Sequence, residues 1–276
     1  MLELIDYDFF RNALIGVAVI SIASAVIGTY IVTRRLAAIC GGVTHACFGG
    51  LGLGYFLGIN PVIMASVFAI GASAGVEWLS TRHRIRHDSA IAMVWALGMA
   101  LGIIFVFMTP GYVPELTGFL FGNVLTISMT DIVAFVVFTA VLLVFVAVYY
   151  RQIVMCAFDP DFSRVVHVNV RFITYSMTVL TAICIVLTIR LVGVMLLMSM
   201  LVLPQIIAEI YCRRFRSIML WSIVISLTGS VGGLLLSAAS DVPCSAVMVL
   251  VLLGIYVIVK SVSGFTSGCR GNKLTT

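Results

Sequence analysis

Apolar runs of about 18 to 25 residues recur along this chain from end to end, and that repetition limits what it can fold into. A helix rises about 1.5 Å per residue, so each run is long enough to cross the roughly 30 Å hydrocarbon core of a bilayer. Nine spans are expected, at about 13–33, 36–58, 61–80, 90–108, 132–150, 172–190, 194–211, 218–238 and 244–262. Composition agrees, since 62% of the 276 residues are hydrophobic and 10% are charged, with a mean hydropathy of +1.21. Little chain remains for a domain in water. The expected fold is an all-α polytopic membrane bundle, one transmembrane domain over 1–276. The first run follows an acidic start and is long enough to span, so it reads as the first helix rather than a cleaved leader.

Orientation follows from the basic residues, because Lys and Arg are retained on the cytoplasmic side during insertion. Of the 16 basic residues, all but Arg11 and Arg190 fall in alternate connections or in the C-terminal tail. With nine spans this puts the N-terminus outside and the C-terminus in the cytoplasm. The net charge of +5 then reads as an insertion signal and an affinity for anionic membrane lipid, not as a nucleic-acid footprint. The 7 cysteines include no C-x-x-C pair and read as small apolar residues rather than a disulfide framework or zinc ribbon.

Glycines spaced by four recur within the spans, at Gly50 and Gly54, Gly71 and Gly75, Gly98 and Gly102, Gly229 and Gly233. Such spacing lets helix backbones approach closely. Between spans, the external stretch from Thr109 to Asp131 contains an amphipathic piece, Leu116 to Leu120, that suits either a surface loop or a re-entrant helix. Asp88 reads as the cap of the fourth helix.

The internal stretch 159–170 carries a helix start of its own. Asp159 can cap, Pro160 suits the first helical position, and Asp161 complements the helix dipole. Phe162, Val165 and Val166 then fall at i, i+3 and i+4, an apolar stripe that a two-turn helix alone in water cannot use. Either the bundle's own face and lipid headgroups cover it, or a cytosolic partner does. No G-x-x-x-x-G-K-[ST] phosphate loop occurs, so a pump built on this chain takes its ATP chemistry from another subunit.

Ionisable groups at membrane depth are costly and mark functional sites by default. His45 lies nine residues past Leu36, about 14 Å along a helix and near the bilayer centre. Gly41 and Gly49 share its face one turn to either side, leaving gaps where a backbone, a water or an ion fits. Neutral imidazole is a common transition-metal ligand, and equally a group that hydrogen-bonds a neighbouring helix. Pro204 breaks the seventh span at similar depth and is followed by Gln205 and Glu209. Broken helices line substrate paths, yet proline kinks also serve ordinary packing. Glu209 and Glu77 each lie close to a basic loop and read as structural first. The Met-rich "VMLLMSM", 194–200, reads as packing.

Five segments, taken together, resemble the ABC-3 family of integral-membrane permeases of zinc, manganese and iron importers. They are "GTYIVTRRLAAICGGVTHACFGGLGLGY", "RHDSAIAMVWALGMALGI", "LTGFLFGNVLTIS", "FDPDFSRVVHVNV" and "LVGVMLLMSMLVLPQIIAEI", in the family's order and spacing. The resemblance implies a permease in the plasma (inner) membrane, assembled as a homodimer with two cytosolic ATPase subunits. It also implies an extracytoplasmic metal-binding protein and a divalent metal carried as substrate, with no cofactor held stably. It favours segment 159–170, with Asp159, Pro160, Asp161, Phe162, Val165 and Val166, as the ATPase docking site.

One departure affects the chemistry. The family commonly carries an Asp one turn before the histidine, and that position here is Gly41. His45 therefore stands without its expected carboxylate as a metal contact of the path. Gln205, where the family usually has Ala, and Glu209 are the remaining candidate oxygen ligands, with Pro204 shaping the helix beside them. The competing function is an ion-coupled secondary carrier or proton channel with His45 as the titrating group, which needs no ATPase.

Overall fold

A computed structural model of the protein describes residues 7–83, 85–110, 122, 124, 127–240 and 242–271, with backbone alone over 264–271. Among the described residues the secondary structure is helical, with no strand. The helices are α1 (Asp8–Thr33), α2 (Ala37–Leu57), α3 (Pro61–Arg82), α4 (His87–Met108), α5 (Met129–Phe158), α6 (Pro160–Val165), α7 (Val170–Tyr211), α8 (Phe215–Ser240) and α9 (Cys244–Gly271). The amphipathic piece Leu116 to Leu120 lies outside the described residues.

Eight of these helices are long and apolar enough to cross a membrane. The sixth span and the seventh, expected as separate helices, are joined in α7, whose 42 residues are about twice what one crossing needs. Three contacts with α5 show how the length is used. Near its start, Phe172 packs on Tyr149, ring centroids 5.7 Å apart. At mid-length Arg190 pairs with Asp131, 3.1 Å apart, at the opposite end of α5. Just beyond its end, Phe215 meets Tyr150 at 6.1 Å. The chain runs the length of α5 and returns, so α7 makes two crossings.

The reversal is centred on Gly193, whose φ of 80° and ψ of 171° belong to a region open only to glycine. The sequence offers no turn cluster there, because one residue makes the bend. Gly122, itself at φ 57°, lays its backbone directly over Gly193. A side chain at 122 would collide with the Gly193 nitrogen.

Local chemistry starts the helices. Asn60 accepts from the Val62 amide at 3.0 Å ahead of Pro61, and Asn169 accepts from Phe172 at 3.1 Å. The fourth helix corrects the expected cap. Its N-cap is Arg86, and Asp88 sits in the first turn, where it complements the dipole and faces Arg86 at 3.8 Å.

Helices α1, α2 and α7 form the buried centre, while α3, α4 and α9 stand outside them with large apolar side chains such as Val67, Ile103, Phe107 and Leu250 exposed. In a membrane such apolar exposure suits lipid or a neighbouring membrane helix. The arginine-bearing ends gather on one face: Arg34, Arg82, Arg164 and Arg171, from three separate connections between spans, line one cleft there. The Asp131–Arg190 pair marks the opposite face.

Candidate functional site

The site is built on α2, whose glycines let it sit between two helices. Gly52 packs on the Gly102 backbone of α4, with a would-be Cβ only 2.6 Å from the carbonyl oxygen. Gly50 does the same against α3 at Ala65, 2.7 Å from its Cα. Any larger residue at either position would push the helices apart. Of the four expected glycine pairs, three sit at such contacts; Gly71 and Gly75 meet nothing within 4 Å and lie along an open groove.

His45 stands near the middle of the 21-residue α2, turned toward α4. Its ring stacks on Trp95 with centroids 4.6 Å apart and planes 7° from parallel, and lies 6.1 Å from Phe48. The Nδ1 atom is buried with no hydrogen-bond partner. The ring as a whole is half-buried, and Trp95 is 44% exposed. The imidazole is thus held by aromatic faces at the margin of the protomer, with Nδ1 uncommitted to any described neighbour.

Gly41, one turn earlier, faces the α7 limb that returns from Gly193. A Cβ there would lie 2.9 Å from the methyl of Met198. The room a carboxylate would take is filled by a thioether, an end that can move aside. Gly49, one turn later, is closed by Phe68 and by the Gly98 carbonyl at 2.9 Å. Among the described residues no group of three or more His, Cys, Asp or Glu side chains is placed to hold a metal ion.

Gln205 faces α1, a different neighbour. Its side-chain Nε2 donates to the Ser24 carbonyl at 3.2 Å and to the Met200 carbonyl at 3.4 Å. Met200 is four residues before Pro204, so its carbonyl is the one that proline's missing N–H leaves free. Gly28 lets the amide approach, since a Cβ there would collide with it. The Oε1 atom is buried without a partner. Glu209, one turn on, is partly buried within the electrostatic reach of Arg213.

On the arginine-rich face, Asp159 caps α6 by accepting from the amides of Asp161 at 3.1 Å and Phe162 at 2.9 Å, with Pro160 first in the helix. Asp161 pairs with Arg164 at 2.7 Å. The short helix closes at His167, at φ 62°. Phe162, Val165 and Val166 point outward, 56%, 73% and 48% exposed, and no described residue covers them.

Three features were not singled out as site residues from the sequence. Trp95 and Met198 are ordinary apolar residues until α4 and α7 are brought against α2. The third is Glu77, 6% exposed, which acts electrostatically on both Arg34 and Tyr30. Arg34 donates to the Tyr30 hydroxyl at 3.0 Å.

Comparison with known proteins gives this arrangement its context. The chain is 34% identical over 229 residues to a probable metal transport system membrane protein of Chlamydia pneumoniae, covering 81% of this chain and 78% of that one. It is 29% identical over 255 residues to the manganese transport system membrane protein MntC of Listeria innocua, covering 92% and 91%. Its fold superposes with a TM-score of 0.81 on a chain of PsaBC from Streptococcus pneumoniae, solved in complex with Fab, at 27% identity and 94% coverage of both. The ABC 3 transport family matches residues 6–263, nearly the whole length of the helical bundle, and this protein belongs to that family.

Proposed function

We propose that the protein is the permease subunit of an ATP-driven importer that carries a divalent transition metal, zinc, manganese or iron, across the cytoplasmic membrane. The observation that carries the reading is His45, an imidazole at mid-membrane whose buried Nδ1 is unspent on packing, in a chain related to metal transport proteins. A half-buried imidazole at the protomer's edge is suited to pass a metal ion rather than to hold it, because one neutral ligand gives a weak station. A second protomer related by a two-fold axis would bring a second His45 and complete the path.

The arginine-rich face is then cytoplasmic. The uncovered stripe of Phe162, Val165 and Val166 on it suits docking of the cytosolic ATPase subunits. The opposite face receives the metal from an extracytoplasmic binding protein. Docked at α6, an ATPase can move α5 and α7, because α6 is joined to the first directly and to the second by a short turn.

The test is the assembled complex in sealed vesicles with an entrapped metal-sensitive dye, given zinc, manganese or iron in turn. ATP-dependent entry of one of these ions, abolished in His45→Ala at equal abundance, is expected. Transport that ignores ATP and follows a proton gradient overturns the reading in favour of a secondary carrier.

A further inference from the structure

On the arginine-rich side two depressions meet at one side chain. The first is the cleft between the ends of α1, α3 and α7 and the helix α6, about 770 Å³ in volume. Among the described residues four guanidiniums line it, those of Arg34, Arg82, Arg164 and Arg171, against the single carboxylate of Glu77. Arg34 is answered by Glu77 and Tyr30, and Arg164 by Asp161. Arg82 and Arg171 pair with no carboxylate among the described residues, and His87, also in the lining, has a buried Nδ1 without a partner. The cleft therefore offers surplus positive charge and donors, and lacks an anion.

The second depression is an apolar groove of about 400 Å³ on the outer surface of α3 and α4. Gly71 and Gly75 form its floor, and Val67, Val94 and Leu97 are among its walls. It follows α3 from Val67 to Trp78, eleven residues or about 16 Å, close to the depth of one leaflet in a core of roughly 30 Å. Trp78 lines both the groove and the cleft. It is 48% exposed and rests edge-on against His83, 4.7 Å between centroids, in the position a tryptophan takes at a membrane interface.

We infer that this pair of depressions is a binding site for one anionic phospholipid. The phosphate lies in the cleft against Arg82, Arg171 and His87, the glycerol passes Trp78, and an acyl chain fills the groove over Gly71 and Gly75. Neither half alone selects this ligand. A soluble anion has no use for the groove, and a neutral lipid leaves the guanidiniums unanswered. Charge complementarity, one-leaflet length and the shared tryptophan together match a membrane lipid with a negative headgroup. Which way the chain is inserted decides only which leaflet supplies it.

The test uses the full-length protein in phosphatidylcholine nanodiscs containing spin-labelled phosphatidylglycerol, with spin-labelled phosphatidylcholine as the reference. The wild type is expected to immobilise phosphatidylglycerol in preference to phosphatidylcholine. The double variant Arg82→Gln, Arg171→Gln is expected to lose that preference by about tenfold or more, each basic residue near a membrane surface contributing on the scale of 1 kcal/mol. Gly71→Leu, whose side chain enters open groove rather than a neighbouring helix, is expected to release both lipids while the protein stays folded and monodisperse. Equal retention of the two lipids by the wild type overturns the proposal. So does displacement of the lipid by inorganic phosphate alone, which would make the cleft a site for the free anion. A change of oligomeric size in Gly71→Leu with lipid retention intact also overturns it, because the groove would then be covered by a second copy of the chain.

Discussion

The side-chain amide of Gln205 donates to the carbonyl of Met200 at 3.4 Å, the acceptor that Pro204 leaves without its helical partner. The same nitrogen reaches Ser24 of α1 at 3.2 Å, so one group repairs the break in α7 and ties it to the buried centre. An orphaned buried carbonyl costs about 1–3 kcal/mol. Gln205→Leu is therefore expected to lower thermal stability by that order, read as a fall in the temperature at which detergent-solubilised protein loses its monodisperse peak. In a Pro204→Ala background, where the Met200 carbonyl regains a backbone donor, the cost of Gln205→Leu should shrink. Equal costs in both backgrounds would mean that the link to Ser24 alone matters.

Gly193 supports a second prediction. Its φ of 80° with ψ of 171° is closed to residues with a Cβ, and the Gly122 backbone packs against it. Gly193→Ala should prevent the limb after Arg190 from returning along α5, with loss of folded protein from the membrane. The pairing that reports the correct return is Asp131–Arg190, partly exposed and 3.1 Å apart. Charge reversal at either position alone should destabilise modestly, and the Asp131→Arg, Arg190→Asp double variant should recover most of it, a coupling of about 0.2–1 kcal/mol. A double-mutant cycle on thermal stability measures it.

How much of this was legible in the sequence depends on the range of the physics involved. Apolar length predicted the spans because the bilayer imposes it residue by residue. Asp159 and Pro160 announced α6 because capping acts within three residues. Gly193 escaped notice because a two-crossing helix needs no turn cluster when one glycine makes the bend, and the run reads as two spans with a short break. Asp88 was misplaced by two residues, since a first-turn acid and a cap carry the same signal. His45 was visible as a histidine among small residues, but its stacking on Trp95, fifty positions away, exists only once α2 and α4 pack through glycine. Gln205 entered as a candidate oxygen ligand through the family resemblance and its place after Pro204. Its partners, Ser24 and the carbonyl freed at Met200, depend on which neighbour α7 faces, and periodicity does not encode that.

The uncovered face of α6 gives a third prediction. Phe162 and Val165 are 56% and 73% exposed, so replacing them with Ala and Ser should leave the permease folded and at normal abundance. If this stripe is the ATPase docking surface, the double variant should fail to retain the ATPase on affinity purification and should lose metal-stimulated ATP hydrolysis. Asp159→Ala should act more mildly, since the cap contributes about 0.5–2 kcal/mol and the stripe itself remains. Retention of the ATPase by the stripe variant would assign the surface to lipid headgroups instead.

The fourth prediction concerns the carboxylate missing from the turn before His45. In Gly41→Asp the new Cβ meets only the end of Met198, 2.9 Å away in the present arrangement, and a thioether methyl can swing aside without moving backbone. The variant should therefore fold, with some loss of stability because an acid is introduced beside a buried thioether. It should also place an anionic oxygen one turn from the imidazole, on the same helix face. Hard divalent ions gain most from such a ligand, so manganese should benefit more than a soft ion satisfied by imidazole alone. The expected readout is metal-stimulated ATP hydrolysis reaching half-maximum at a metal concentration lower by on the order of tenfold, ~1.4 kcal/mol, for manganese. Adding His45→Ala should remove the gain, because a single carboxylate in the bundle is then as weak a station as the single imidazole was. A gain that survives the loss of His45 would show that the path passes Gly41 without touching the histidine, and His45 would then belong to the packing of α2 against Trp95.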